Sequence, residues 1–185
     1  MRAFGANEIR TFLRALDRHL TRRTRLEIIG GGAAALAHGA ISTTADIDTF
    51  TPATADLEEA VARATRDTGL KLPLLQAGVA DVPINYEDRL ERQLPELEML
   101  EVWVLEKHDL ALSKALRWHE PDAQQMREIR DGVGLSCELL IERFRNEMSH
   151  VMGDPARVRM NFLAMIEDLF GELKRVAAEK AIRIG

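Results

Sequence analysis

An apolar run at residues 26–29 ends on Gly30-Gly31-Gly32. A small-residue stretch follows, and after a short spacer comes the triplet Asp46-Ile47-Asp48, all within the segment LEIIGGGAAALAHGAISTTADIDTF. Few folds accommodate that order. A strand that ends in glycines and turns into a helix is a phosphate-binding device, because glycine lets the backbone approach closely and a helix N-terminus offers unpaired amides at its positive end. Two carboxylates at i and i+2 on a strand point to one face, and their mutual repulsion is relieved by a divalent cation. Hard oxygen donors suit Mg²⁺ or Mn²⁺ shared with substrate phosphates.

A second reading of the same glycines is a dinucleotide site, since Gly30, Gly32 and Ala35 satisfy G-x-G-x-x-A after a strand. That reading requires successive parallel βαβ crossovers. The spacer at residues 39–45 and the few strand-like runs before residue 108 speak against it. A third reading gives the glycines only a packing role.

The periodicities place these residues in a mixed α/β region. Ile9, Phe12, Leu13, Leu16 and Leu20 define an amphipathic helix over residues 6–21, residues 46–50 alternate like a strand, and Pro52 and Thr54 introduce a helix over 55–67 capped by Gly69. Residues 70–76 and 80–86 read as strand or extended loop, and residues 100–105 as a strand with Trp103 in the core. From about residue 108 the pattern is helical. It predicts helices over 107–118, from Pro121, over 135–151, and from the Asp154-Pro155 start to Ile182. The expected division is an α/β part, 1–108, and a helical part, 109–185.

Composition narrows the class. The chain has 185 residues, 46% of them hydrophobic and 30% charged, which is globular rather than disordered or fibrous. No apolar run is long enough to span a bilayer, no secretory h-region follows the basic start, and Cys137, the only cysteine, excludes an internal disulfide; a cytoplasmic protein is expected. Seven arginines against Glu8 and Asp17 leave residues 1–25 at +5, so the rest of a chain of net charge −5 carries −10. Arg10, Arg14, Arg18 and Arg22 recur every four residues and form either a solvated helix face or a phosphate-facing stripe. His108 and His119 lack ligand partners at metal-binding spacing and read as structural or surface residues; Trp118 reads as core or as a base-stacking surface.

The glycine turn and D-x-D pair resemble the signature of the polymerase-β-type nucleotidyltransferase superfamily. More closely, they resemble bacterial nucleotidyltransferase toxins of the AbiEii/MenA type and their relatives, whose pattern maps here onto Gly30, Gly31, Ala33, Gly39, Thr44, Asp46, Asp48, Asp109, Leu110, Lys114 and Asp122. The chain departs from that pattern at Ser42, where arginine is usual, and at Gln125, where a second acid is usual; Asp81 is the candidate third carboxylate. The resemblance implies an α/β (α+β) fold with a small mixed sheet and a C-terminal helical bundle. It also implies a Mg²⁺- or Mn²⁺-dependent transfer of a nucleoside monophosphate from an NTP to an acceptor hydroxyl. Asp46 and Asp48 would hold metal, Gly30, Gly31 and Thr44 would line the nucleotide site, Lys114 would meet the triphosphate, and Asp122 would act as base or positioning group. The implied acceptor is a tRNA or other RNA 3′ end, met through Arg10, Arg14, Arg18 and Arg22, within a toxin–antitoxin or phage-defence pair that includes an antitoxin protein. The alternatives are a catalytically degenerate binding protein and transfer onto a protein side chain.

Overall fold

A computed structural model describes residues 3–77 and 81–182. The chain forms two compact units: Met1–Val79 with Leu90–Leu105, and Ala80–Arg89 with Glu106–Gly185. The first is the α/β part, with order α1 (Ala6–His19), β1 (Thr24–Ile28), α2 (Gly30–Ala37), β2 (Ile47–Thr49), α3 (Ala55–Thr68), β3 (Leu74–Gln76), β4 (Glu91–Gln93) and β5 (Leu100–Val104). The fold is the expected mixed α/β class. A five-stranded sheet runs β3-β2-β1-β5-β4, with β1 parallel to β5 and antiparallel to β2. Because β1–α2–β2 returns antiparallel, no Rossmann crossover follows the glycines, and the dinucleotide reading falls.

One sheet face is the core. Leu26 and Ile28 on β1, Ile47 on β2, and Leu100, Val102 and Val104 on β5 are almost fully buried. α1 turns Ile9, Phe12, Leu13 and Leu16 inward and packs mainly on α3, with further contacts to α2 and β5. Polar ties fix these layers. Asp17 of α1 accepts the backbone N–H groups of Met99 and Leu100 at 2.8 Å each, and the Arg10 guanidinium donates to the Leu36 carbonyl near the end of α2. Thr54 caps α3 and Gly69 closes it, as the sequence predicts.

The second unit is helical: a 3₁₀ turn (Tyr86–Arg89), α4 (Lys107–Ala115), α5 (Glu120–Val133), α6 (Cys137–Glu147), α7 (Pro155–Phe170) and α8 (Glu172–Ile182). α4 is its hub, contacting α5, α6 and α7. Phe144 of α6 stacks on Phe162 of α7 with ring centroids 3.8 Å apart.

Several expectations need correction. The single last helix is two, because Gly171 sits at φ +88, a conformation that closes α7 and costs glycine least. The helix expected over 135–151 stops at Glu147. Of residues 80–86, read as strand or extended loop, residue 80 lies outside the described residues, and 81–85 take the loop alternative before the 3₁₀ turn. β4 carries Glu91 and Arg92, which hide its period from a hydrophobicity reading. Trp103 is half-buried on the face of β5 opposite the core, not in it. Arg2 lies outside the described residues. No helix among the described residues is long and apolar enough to cross a membrane.

Candidate active site

The glycine turn and the carboxylates meet in the first unit. β1 delivers the chain to Ile29, the N-cap of α2, which supplies no side-chain cap, so the first amides of α2 at Gly30 and Gly31 are those that helix geometry leaves without intrahelical acceptors. Ile29 N–H donates to the Asp48 carbonyl at 2.9 Å, which clips the turn to β2. Ile47 is buried in the core, so Asp48 takes the opposite face of β2; Asp46 lies in the bend just before the strand, and both carboxylates are half-buried. Gly30 has φ +60, and a Cβ placed on it would lie 2.6 Å from Asp48 Oδ2. The Asp48 carboxylate therefore occupies space that only glycine leaves free, against the start of α2.

Thr44 is held by a two-way backbone pairing with Phe4, at 2.7 and 3.0 Å. Its hydroxyl donates to the Asp46 carbonyl at 3.0 Å and lies 3.4 Å from Asp46 Oδ1, so it braces the Asp46 backbone more than the carboxylate. Two carboxylates fit a Mg²⁺ or Mn²⁺ ion that completes its shell with water and substrate phosphate oxygens, which is how Mg²⁺ is commonly held. Among the described residues, no three histidine, cysteine or acidic side chains gather into a metal-binding group.

The arginine stripe is internally paired. Beyond the Arg10 bond, Arg14 meets Glu96 at 2.9 Å, Arg18 meets Asp67 at 3.8 Å and Arg22 meets Asp56 at 4.0 Å. Its charge is thereby offset within the unit.

The other predicted residues lie in the second unit. Lys114 and Asp122 are both buried and meet each other at 2.5 Å; Arg117 Nε and His119 Nδ1 lie 3.1 and 2.8 Å from the second oxygen of Asp122. Burial opposes ionisation of Asp122, but the Lys114 hydrogen bond and charge, then Arg117, outweigh it and hold the carboxyl below its ordinary range. A carboxylate held between the Lys114 and Arg117 cations accepts a proton poorly, so the arrangement suits positioning better than base catalysis. Gln125 is buried on the same helix. Asp81 Oδ1 lies 3.5 Å from the Met152 amide.

Asp109, fully buried, is gripped by Arg89 through two bonds (2.8 and 3.1 Å) and by Arg143 at 2.8 Å. Each arginine also holds a glutamate: Arg89 binds Glu147 at 2.7 Å and Arg143 binds Glu106 at 2.5 Å. His108 extends the chain. Its Nε2 accepts the Ser136 N–H at 2.9 Å, so Nδ1 carries the proton and donates to Glu106 at 2.6 Å, a structural role as expected. Sequence reading missed Arg89 and Arg143, whose partners are too distant in the chain for any local pattern to show them, and Glu106, which caps α4 locally but meets Arg143 only through the fold.

With this geometry in place, comparison with known proteins is informative. A family model described as a nucleotidyltransferase of unknown function (DUF6036) matches residues 7–169, from within α1 almost to the end of α7. The chain belongs to that family. That membership supports the nucleotidyltransferase superfamily for the chain. No curated protein and no solved structure matches the chain.

Proposed function

We infer that this DUF6036 protein transfers a nucleoside monophosphate from an NTP to an acceptor hydroxyl in a reaction that depends on Mg²⁺ or Mn²⁺. The observation that carries the reading is the Asp48 carboxylate seated in the space Gly30 leaves open, with Asp46 two residues before it, in the bend that leads into β2. Such a site sets a carboxylate of β2 beside the amides that open α2, the pairing a metal-bound phosphate needs. Asp46 and Asp48 would hold the ion, whose chemistry is to neutralise charge on the transferring phosphate and on the departing pyrophosphate. The Gly30 and Gly31 amides would face phosphate oxygens, and the Thr44 bond to the Asp46 backbone would keep the first carboxylate in register. The resemblance to AbiEii/MenA-type toxins supports an RNA 3′ end, such as that of tRNA, as acceptor, and a cognate antitoxin as partner.

Label transfer from each α-³²P NTP with Mg²⁺ tests this, offering total RNA and total protein and comparing wild type with Asp46→Asn/Asp48→Asn. Label on RNA that is lost in the double variant supports the reading; label on protein would move the acceptor to a side chain. The alternative is a catalytically degenerate nucleotidyltransferase-fold binding protein. No transfer with any NTP from folded protein that still binds Mg²⁺-NTP would establish that alternative.

A further inference from the structure

The sheet face that carries Asp48 also carries an unusual stack. Register pairs Glu27 of β1 with Trp103 of β5, and Arg92 of β4 with Trp103 on its other side. Ile28 pairs with Thr49 on the core face, so Glu27, Trp103 and Asp48 share the opposite one. There the Arg25 guanidinium lies over the Trp103 ring, 5.1 Å from its centroid, and Arg25 Nε donates to Glu27 at 2.8 Å. The Arg25 side chain is about half exposed and Glu27 is mostly covered. Trp103 Nε1 is buried with no hydrogen-bond partner, so indole burial here is not offset by a polar contact.

A guanidinium held by a carboxylate and backed by an indole presents its outer face as a charged plane. Unstacked nucleobases stack on such planes, and arginine adds a cation–π component. β5 lies two strands from β2 in the sheet order, and Trp103 is level with Glu27, two residues before the Ile29 amide that bonds Asp48, so the stack sits about 10 Å across the sheet and about 7 Å along it from Asp48. A nucleotide can span that distance, with phosphates at the carboxylates and base at the arginine.

We propose that Arg25, clamped by Glu27 and backed by Trp103, is the platform on which a nucleobase stacks at this site. The proposal rests on the preceding reading that this face handles a nucleotide, and the base belongs either to the donor NTP or to an RNA acceptor.

Calorimetry on the full chain separates the cases. With Mg²⁺, the affinity ratio of NTP to tripolyphosphate reports the base of the donor; the ratio of a single-stranded hexaribonucleotide to an abasic hexamer reports the base of the acceptor. Arg25→Ala and Arg25→Lys should both lower one of these ratios about fivefold or more, leaving tripolyphosphate affinity unchanged, because lysine keeps the charge but lacks the plane. Circular dichroism checks that each variant is folded. Wild-type ratios in Arg25→Lys, or an equal loss for tripolyphosphate, would overturn the platform. If tripolyphosphate binds in an Asp46- and Asp48-dependent way while neither ratio depends on Arg25, only the platform fails. If no Mg²⁺-triphosphate binds but the hexamer ratio depends on Arg25, the NTP reading fails and the platform stands.

Discussion

Gly30 and Asp48 constrain each other. Alanine at position 30 pays about 1–2 kcal/mol for the left-handed backbone alone, and its Cβ meets the Asp48 carboxylate at 2.6 Å. Gly30→Ala should therefore lower stability in a urea titration and also displace Asp48, so that NTP transfer falls more than the stability loss explains. The buried Lys114–Asp122 pair makes a different prediction. Asp122→Asn leaves the Lys114 ammonium buried without its carboxylate, a loss of about 3–5 kcal/mol, whereas Lys114→Met leaves Asp122 with Arg117 and His119. Asp122→Asn should be the more destabilising substitution in chemical denaturation; the reverse order would show that Lys114 is not held by this pair. At this scale the sequence was only partly legible. Asp46, Asp48 and Gly30 could be read because chain neighbours set their geometry. The network around Asp109 could not, since Arg89 and Arg143 come to it from opposite directions along the chain.

Elements carry the acid response. The Glu106 carboxyl is pulled down to about 2: burial opposes this, but the His108 hydrogen bond, then the Arg143 hydrogen bond and charge, prevail. A carboxyl lowered by folding contributes stability that is complete above about pH 4.5 and is lost as the pH falls toward 2. Glu106→Gln should destabilise at pH 7, and its deficit against wild type should shrink across that window in urea titrations at stepped pH. Arg89 ties the 3₁₀ turn to α4 and α6, while Ile84 N–H donates to the Glu147 carbonyl at 3.2 Å. Arg89→Ala should raise amide hydrogen exchange over residues 81–89 while leaving β1 protected. Most helices were visible from their apolar stripes and caps. β4 and the α7–α8 break were not, because a charged, short strand has no hydrophobic period and a helical stripe continues past a single glycine.

For the whole molecule, the second unit takes residues 80–89 from the middle of the first. A fragment of residues 106–185 lacks Arg89 and leaves Asp109 with Arg143 alone. It should unfold less cooperatively by thermal circular dichroism than the corresponding unit does in the full chain. The later crossing between the units falls at 105/106, where β5 gives way to the start of α4. The earlier excursion left no compositional trace, since its ties are the long-range bonds of Arg89 and Glu147.

The strand order has a consequence for synthesis. β1, the glycine turn and β2 leave the ribosome early, but the parallel neighbour of β1 is β5, the last strand made. Until residue 104 emerges, β1 lacks a partner along its whole length, and β2 pairs with it at a single register position. At about 5–20 residues per second, the nascent chain carries the carboxylate pair for seconds before the sheet around it can close. A protein that moves nucleotides thus stays unfinished at its own site for most of its translation.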